Sequence, residues 1–296
     1  MNLFKNTIIN FHSITSKAWM EKVFILLKNR YRLISVRELE SYYYEGKRLD
    51  NTCSITYDDG HESFHSIVFP LLKKYEIPAS LYVSPLMIKE RKNFWFQEIE
   101  NYDDNILYES IDDLFKSNDF KNNISIGEIF KSMKLNDIWD AIYRYMDHTG
   151  VEPKKCVNLD SEQLIEIKNS GLVTIGAHTL NHPILSNEDD KIALNEIKES
   201  IDQLSDLINT KIKYFAYPNG IPNVDFGYRE VKVLKDLGIK LSFSTENKAF
   251  SMEDDPLNIP RNGLTKGGKM FILSKLILGK RWDKIKGLLK NNSFRV

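Results

Sequence analysis

The sequence predicts an α/β protein built as one irregular (β/α) barrel, and three observations carry that prediction. Apolar, β-branched runs alternate with amphipathic stretches from Asn6 to Arg261, the rhythm of parallel strand-helix-strand units. Two of these runs end in reactive side chains: one closes on Asp58-Asp59-Gly60-His61, the other on His178 and His182. Barrels and open α/β sheets deliver functional groups at the carboxyl ends of strands in this way. The chain has 296 residues, long for an average domain and ordinary for one barrel.

Taken in order, 6–11 reads as a first strand that ends at His12, and 16–29 as a helix with Trp19, Val23, Leu26 and Leu27 at helical spacing. A short strand over 31–35, a helix over 36–45 and the Asp-Asp strand follow. After Gly60 a helix carries Phe64, Val68, Leu71 and Leu72 on one side until Ile77-Pro78 stops it, and 79–83 is the next strand. Between about 89 and 155 the rhythm lapses into an aromatic, then acidic, then helical segment. Ile138, Trp139, Ile142, Tyr143 and Met146 are expected to share one face there. This segment reads as a helical insertion in a βα loop, on the face where barrels admit substrate. The rhythm resumes with a helix over 161–170, the His strand, a long helix over 188–209 and a strand over 213–217 that stops at Pro218-Asn219-Gly220. A helix over 225–237, a strand over 239–245 and an extended piece over 257–261 complete the barrel, which is assigned to 1–265. Residues 266–296 form a separate basic amphipathic segment, with Asp283 its one acid; it is read either as a packed terminal helix or as a peripheral contact with an anionic membrane.

One carboxylate and two imidazoles suffice to hold a catalytic divalent metal, which needs three protein ligands and an open position. The second carboxylate of the Asp-Asp pair is then left over as a base. Nitrogen donors with one carboxylate suit zinc, with cobalt, nickel or manganese as alternatives.

These residues resemble the polysaccharide deacetylases with the NodB homology domain, carbohydrate esterase family 4. Thr56-Tyr57-Asp58-Asp59-Gly60 is similar to the family's Thr-Phe-Asp-Asp-Gly, and His178-Thr179-Leu180-Asn181-His182 to its His-Ser/Thr-x-x-His, in the same order. The resemblance implies a NodB-type barrel, Asp58 as base, and Asp59, His178 and His182 as metal ligands. It implies removal of acetyl groups from N-acetylated amino sugars, in a polysaccharide or in a free or lipid-linked glycan precursor. Two departures stand out. No histidine follows His182, where most of the family carries its acid in Leu-x-x-His. The acid is expected to be His12, as in the similar poly-N-acetylglucosamine deacetylases, whose acid histidine comes first. The family's Arg-x-Pro-x-Gly reads Ala216-Tyr217-Pro218-Asn219-Gly220 here, so Arg261 is expected to steady Asp58 in place of the missing arginine. Asn219 is left to offer its main-chain N–H to an oxyanion. Tyr217, Trp95 and Phe96 are candidates to stack on sugar rings.

Lysine plus arginine equals aspartate plus glutamate at 41 each, so no broad basic footprint for nucleic acid exists. The two cysteines, Cys53 and Cys156, make neither a disulfide framework nor a zinc ribbon. The first ten residues lack a secretory signal's apolar core and no run is long enough to span a bilayer, which leads to an expected location in the cytoplasm or against the inner face of the membrane. Two alternatives share the scaffold: an O-acetyl esterase or small-amide hydrolase, and a glycan-binding protein without catalysis.

Overall fold

Eight strands form inside the runs that the hydrophobic pattern marks: β1 Thr7–Phe11, β2 Arg32–Ile34, β3 Thr52–Tyr57, β4 Ala79–Val83, β5 Val173–Ala177, β6 Tyr214–Ala216, β7 Leu241–Phe243 and β8 Asn262–Gly263. The computed structural model describes residues 5–111, 124–279 and 281. All the strand pairings are parallel, and the order β7-β6-β5-β4-β3-β1-β8, with β2 on β3, curls into an irregular barrel. The segment 256–263 closes it. Ile259 N–H donates to Ser242 O of β7 and Ile259 O accepts from Ser244 N–H just past it, at 2.9 Å each, and Asn262 and Gly263 pair with Ile9 and Asn10 of β1. Both faces of such a sheet are covered, so β1, β3 and β4 are buried along their whole length rather than alternating.

Helices α1 Lys17–Lys28, α2 Val36–Glu45 and α3 Phe69–Tyr75 make the first three crossovers; a single π-helical turn, Phe64–Val68, leads into α3. Their ends are set by local chemistry. Ser16 accepts from Trp19 N–H at the start of α1, and Ser35 and Glu38 form a reciprocal capping box on α2, which Gly46 ends at φ 70°. After β4 come α4 Pro85–Glu90, then α5 Trp95–Glu98, α6 Asp104–Ile111, α7 Ile126–Phe130 and α8 Leu135–Thr149 of the insertion. These pack around an apolar cluster of their own, with Trp95, Leu107, Phe130, Ile138 and Ile142 buried in it. Helices α9 Ser161–Asn169, α10 Asp190–Ile208, α11 Tyr228–Asp236 and α12 Lys269–Leu278 complete the order.

Two expectations about faces are corrected. The buried stripe of α8 is Ile138, Ala141, Ile142 and Tyr145, with Trp139 and Met146 packed half-buried against the same cluster, whereas Tyr143 turns outward and is 56% exposed. Four-residue spacing alone cannot tell which of two adjacent stripes meets the core. Ile192 likewise faces outward near the start of α10. Of the C-terminal segment, α12 is described: Ile272 enters the barrel core, and Trp19 Nε1 donates to Gly267 O at 2.8 Å. Residues 282–296 lie outside the described residues. No helix among the described residues is long and apolar enough to cross a membrane.

Candidate active site

The register explains why distant residues meet. Strand β1 pairs with β3 so that Phe11 lies opposite Tyr57, and Asp58 N–H donates to Phe11 O at 3.0 Å, which brings His12 alongside Asp58. Strand β4 separates β3 from β5, and His178 N–H donates to Val83 O at 3.0 Å just past the end of β4. Because every pairing is parallel, His12, Asp58, Asp59 and His178 all arrive at one rim.

Two consecutive left-handed residues, Asp59 at φ 71° and Gly60 at φ 72°, then turn the chain sharply. The turn is clasped from the exit of the insertion: Leu159 N–H donates to Gly60 O and Glu62 N–H to Val157 O, both at 2.8 Å. Thr179 and His182 are also left-handed, at φ 61° and 63°. Their loop is held by Thr179 Oγ1, which donates to His178 O at 2.6 Å and accepts from His182 N–H at 3.0 Å. Glu196 of α10 supports the same loop. It accepts from the backbone N–H groups of Leu180 and Asn181 at 3.0 and 2.8 Å and from the Asn181 amide at 2.8 Å. Burial raises the pKa of this carboxyl group.

Asp59, His178 and His182 each offer one donor atom, and those atoms lie within 4.8 Å of one another. Asp59 Oδ1 is 3.4 Å from His178 Nε2 and 3.5 Å from His182 Nε2. His178 Nδ1 is 2.7 Å from Ala216 O, which makes the neutral ring an Nδ1–H tautomer with its Nε2 lone pair facing Asp59. Burial and the neighbouring His178 push His182 down to about 4, so its ring is neutral at pH 7. Asp59 Oδ1 is buried without a hydrogen-bond partner. Three acceptors thus converge on a space where a single proton satisfies only one pair, and the donor set fits a divalent cation. His178 stands above its ordinary value: burial opposes its charge, but Asp59 and Asp58 outweigh it.

Asp58 faces Arg261. Nη1 donates to Oδ1 and Nη2 to Oδ2, both at 2.8 Å, and Asn10 Nδ2 adds a bond to Oδ2 at 2.9 Å. Arg261 is fully buried, with Nε donating to Ser244 O at 3.0 Å and its guanidinium over the rings of Tyr82 and Phe243 at 5.7 and 5.8 Å. Burial alone would raise Asp58, but Arg261 and then His178 outweigh it and hold the carboxyl below its ordinary value. The residue where the family motif has arginine is Ala216, and Arg261 reaches Asp58 from the closing segment instead.

The remaining candidates divide. His12 is exposed at the rim, in register with Asp58. Asn219 stands at φ 54° in the turn after β6, with its carbonyl accepting from Thr245 Oγ1 at 2.6 Å. Tyr217 is a correction. It is wholly buried, its ring stacks on Phe226 at 3.6 Å and its hydroxyl donates to Leu257 O at 2.8 Å, so neither ring face is open to a sugar. Trp95 is likewise buried against Phe130. Phe96, with Phe94, packs on the His182 ring at 5.2 and 5.1 Å. The insertion therefore buttresses one of the three converging side chains. Glu196 and Phe94 were not singled out from sequence: Glu196 reads as one acid among several on an amphipathic helix, and nothing local marks it as pointing inward.

A parallel barrel with an Asp-His-His cluster beside an arginine-held carboxylate at its carboxyl-end rim has the layout of a barrel hydrolase. The family model described as "Polysaccharide deacetylase" matches residues 45–242, and the chain belongs to that family; the relatives it matches are named as N-deacetylases, which hydrolyse amide bonds. The match takes in Asp58, Asp59, His178 and His182 and leaves His12 and Arg261 outside it. The chain is 22% identical over 251 residues to the poly-β-1,6-N-acetyl-D-glucosamine N-deacetylase of Staphylococcus epidermidis, covering 84% of this chain and 67% of that protein. It is also 22% identical over 272 residues to the enzyme of the same name from Staphylococcus aureus, covering 92% and 72%. Among solved structures the fold is similar to IcaB from Ammonifex degensii, with TM-score 0.63, 17% identity and coverage of 93% and 97%. It is similar too to the Streptococcus pyogenes deacetylase PplD, with TM-score 0.58, 17% identity and coverage of 88% and 92%.

Proposed function

We propose that this protein is a metal-dependent de-N-acetylase acting on a polymer of N-acetylated amino sugar, of the poly-β-1,6-N-acetylglucosamine kind named for its relatives. The observation that carries the reading is the convergence of Asp59, His178 and His182 on one space, with the Asp58–Arg261 pair beside it. Asp59, His178 and His182 would hold the ion. When bound, a divalent metal, zinc first for this donor set, polarises the acyl oxygen and makes water acidic enough to attack near neutral pH.

The other roles belong to the chain itself. Asp58 takes a proton from the attacking water, and Oδ1 is the oxygen with capacity left, because it accepts only from Arg261 whereas Oδ2 accepts from Arg261 and Asn10. Arg261 keeps that carboxylate ionised and oriented. Asn219 N–H is assigned to the acyl oxyanion. As the C–N bond breaks, His12 gives the departing nitrogen the proton it needs, leaving acetate and a free amine.

Acetate release from β-1,6-linked N-acetylglucosamine oligomers, with and without chelator, tests this directly. Turnover is expected to stop with chelator and return with zinc. Asp59→Ala, His178→Ala and His182→Ala should lose metal by elemental analysis, whereas Asp58→Asn and His12→Ala should keep it and lose turnover. Equal metal loss in both groups would mean that the roles are misassigned.

A further inference from the structure

Helix α8 carries two stripes, and among the described residues the second is covered only in part: Trp139 packs half-buried against the insertion's apolar cluster, and Tyr143 is 56% exposed. Ile138, Ala141, Ile142 and Tyr145 anchor the helix in the insertion, while Asn136, Trp139, Asp140 and Tyr143, spaced three, four and seven residues from Asn136, line a groove of about 620 Å³. That volume lies within the ~300–1,000 Å³ usual for ligand sites. The indole of Trp139 and the ring of Tyr143 lie 5.8 Å apart and 31° from coplanar, one helical turn from each other. Half-buried Trp139 and exposed Tyr143 thus present an aromatic surface on an otherwise polar stripe, a surface of the kind that marks a ligand-binding groove.

The groove runs up to the histidine loop of the site. Asn181, between His178 and His182, lines it, as does Met87 of α4 at the carboxyl end of β4. A smaller hollow of about 180 Å³ shares Asn136, Trp139 and Asn181 with it and reaches Pro183 on the far side of the histidine loop. The charged groups along the groove are largely committed elsewhere. Arg91 donates to Asn158 O at 2.8 Å, Lys92 pairs with Glu90 at 2.5 Å, and Lys154 lies 4.6 Å over the Tyr102 ring. Glu98 accepts from Asn93, Tyr102 and the Lys154 N–H. What remains to an occupant is two aromatic faces flanked by an amide and a carboxylate. That suits an uncharged chain of rings with apolar faces and hydroxyl or amide edges, which is the chemistry of an N-acetylated glycan, rather than a phosphodiester or an acidic peptide.

We infer that this groove is a distal sugar subsite, in which Trp139 and Tyr143 stack on a sugar other than the one that reacts and make the enzyme selective for oligomers over short fragments. The inference rests on the deacetylase reading above. It is tested by kcat/KM for β-1,6-linked N-acetylglucosamine oligomers from disaccharide to hexasaccharide. The wild type should favour the hexasaccharide. Tyr143→Ala and Trp139→Ala should each lower the hexasaccharide-to-disaccharide ratio by about threefold to tenfold, the scale of one aromatic contact, and through KM rather than kcat. Tyr143→Phe keeps the ring and should keep the ratio. Tyr228→Ala, exposed on α11 and outside the groove, should match the wild type. Tyr143 is itself exposed, so the readout does not depend on Trp139→Ala folding. Equal kcat/KM at all lengths, or a ratio unmoved by both alanine variants, overturns the subsite and leaves the deacetylase reading standing. No acetate from any oligomer overturns both.

Discussion

Removing the Arg261 guanidinium would leave Asp58 as a buried carboxylate with Asn10 but no cation beside it. Breaking a buried pair from one side costs about 3–5 kcal/mol, and Arg261→Met should lose roughly that in denaturant unfolding. The pH dependence has a definite sign. In the folded protein Asp58 lies below its ordinary value, so its ionised form adds stability above the unfolded value of about 4, and this is lost as the pH falls through the lower folded value. Arg261→Met raises the folded value toward the unfolded one, so the variant loses less stability over this range, and the stability gap between wild type and variant, measured by denaturant unfolding of the metal-free proteins, should narrow as the pH falls below about 4. A gap that does not change with pH would mean that Arg261 does not govern Asp58. Glu196 makes a separate prediction. It supports the histidine loop without belonging to the cluster, so Glu196→Ala should weaken metal binding about 10- to 100-fold in a competition titration with all three ligands intact. An unchanged affinity would reduce Glu196 to an ordinary buried acid.

At the scale of elements, the turn after β3 is the narrowest constraint. A Cβ on Gly60 would lie 2.9 Å from Val83 Cγ1, at a φ of 72° that side chains other than glycine's resist. Gly60→Ala should therefore cost more than the ~1 kcal/mol of ordinary glycine replacement, read as a lowered thermal midpoint. Gly176 on β5 is as tightly enclosed: a Cβ there would meet the Tyr82 ring at 2.5 Å, and that ring lies against Arg261. The insertion acts as an element of the site through Phe94 and Phe96. Phe96→Ala removes one of two rings packed on His182 and should loosen metal binding, visible as faster zinc loss to a chelator with the overall fold retained. The same loss rate as wild type would make the contact incidental.

For the molecule as a whole, parallel pairing decides what can meet. Strands β1, β3, β4 and β5 lie side by side, so residues separated by more than 160 positions in the chain share one rim. The closing segment 256–263 then carries Arg261 into the interior from the other side of β1. A bound ion would tie β3 to β5 across β4, and ligand linkage predicts that zinc raises the thermal midpoint, with a stabilisation that grows as the logarithm of its free concentration over Kd. A midpoint indifferent to zinc and chelator would remove the metal from the proposal.

Much of this was legible in the chain. Apolar runs and helix caps mark the strands and crossovers because period and capping are local properties, and the adjacency of Asp58 to Asp59 and the spacing of His178 to His182 name the converging groups. Other features were decided only by the tertiary structure. The sequence offers Arg261 for the arginine missing at Ala216, but only the packed chain sets it bidentate on Asp58, as the closing segment, far along the chain, passes the same point in space. Tyr217 turned into the core, and Tyr143 outward beside a half-buried Trp139, because a helix or strand reveals its spacing before it reveals which neighbour will cover it. Glu196 became part of the site for the same reason: burial is a property of the packed molecule, and no short stretch of chain contains it.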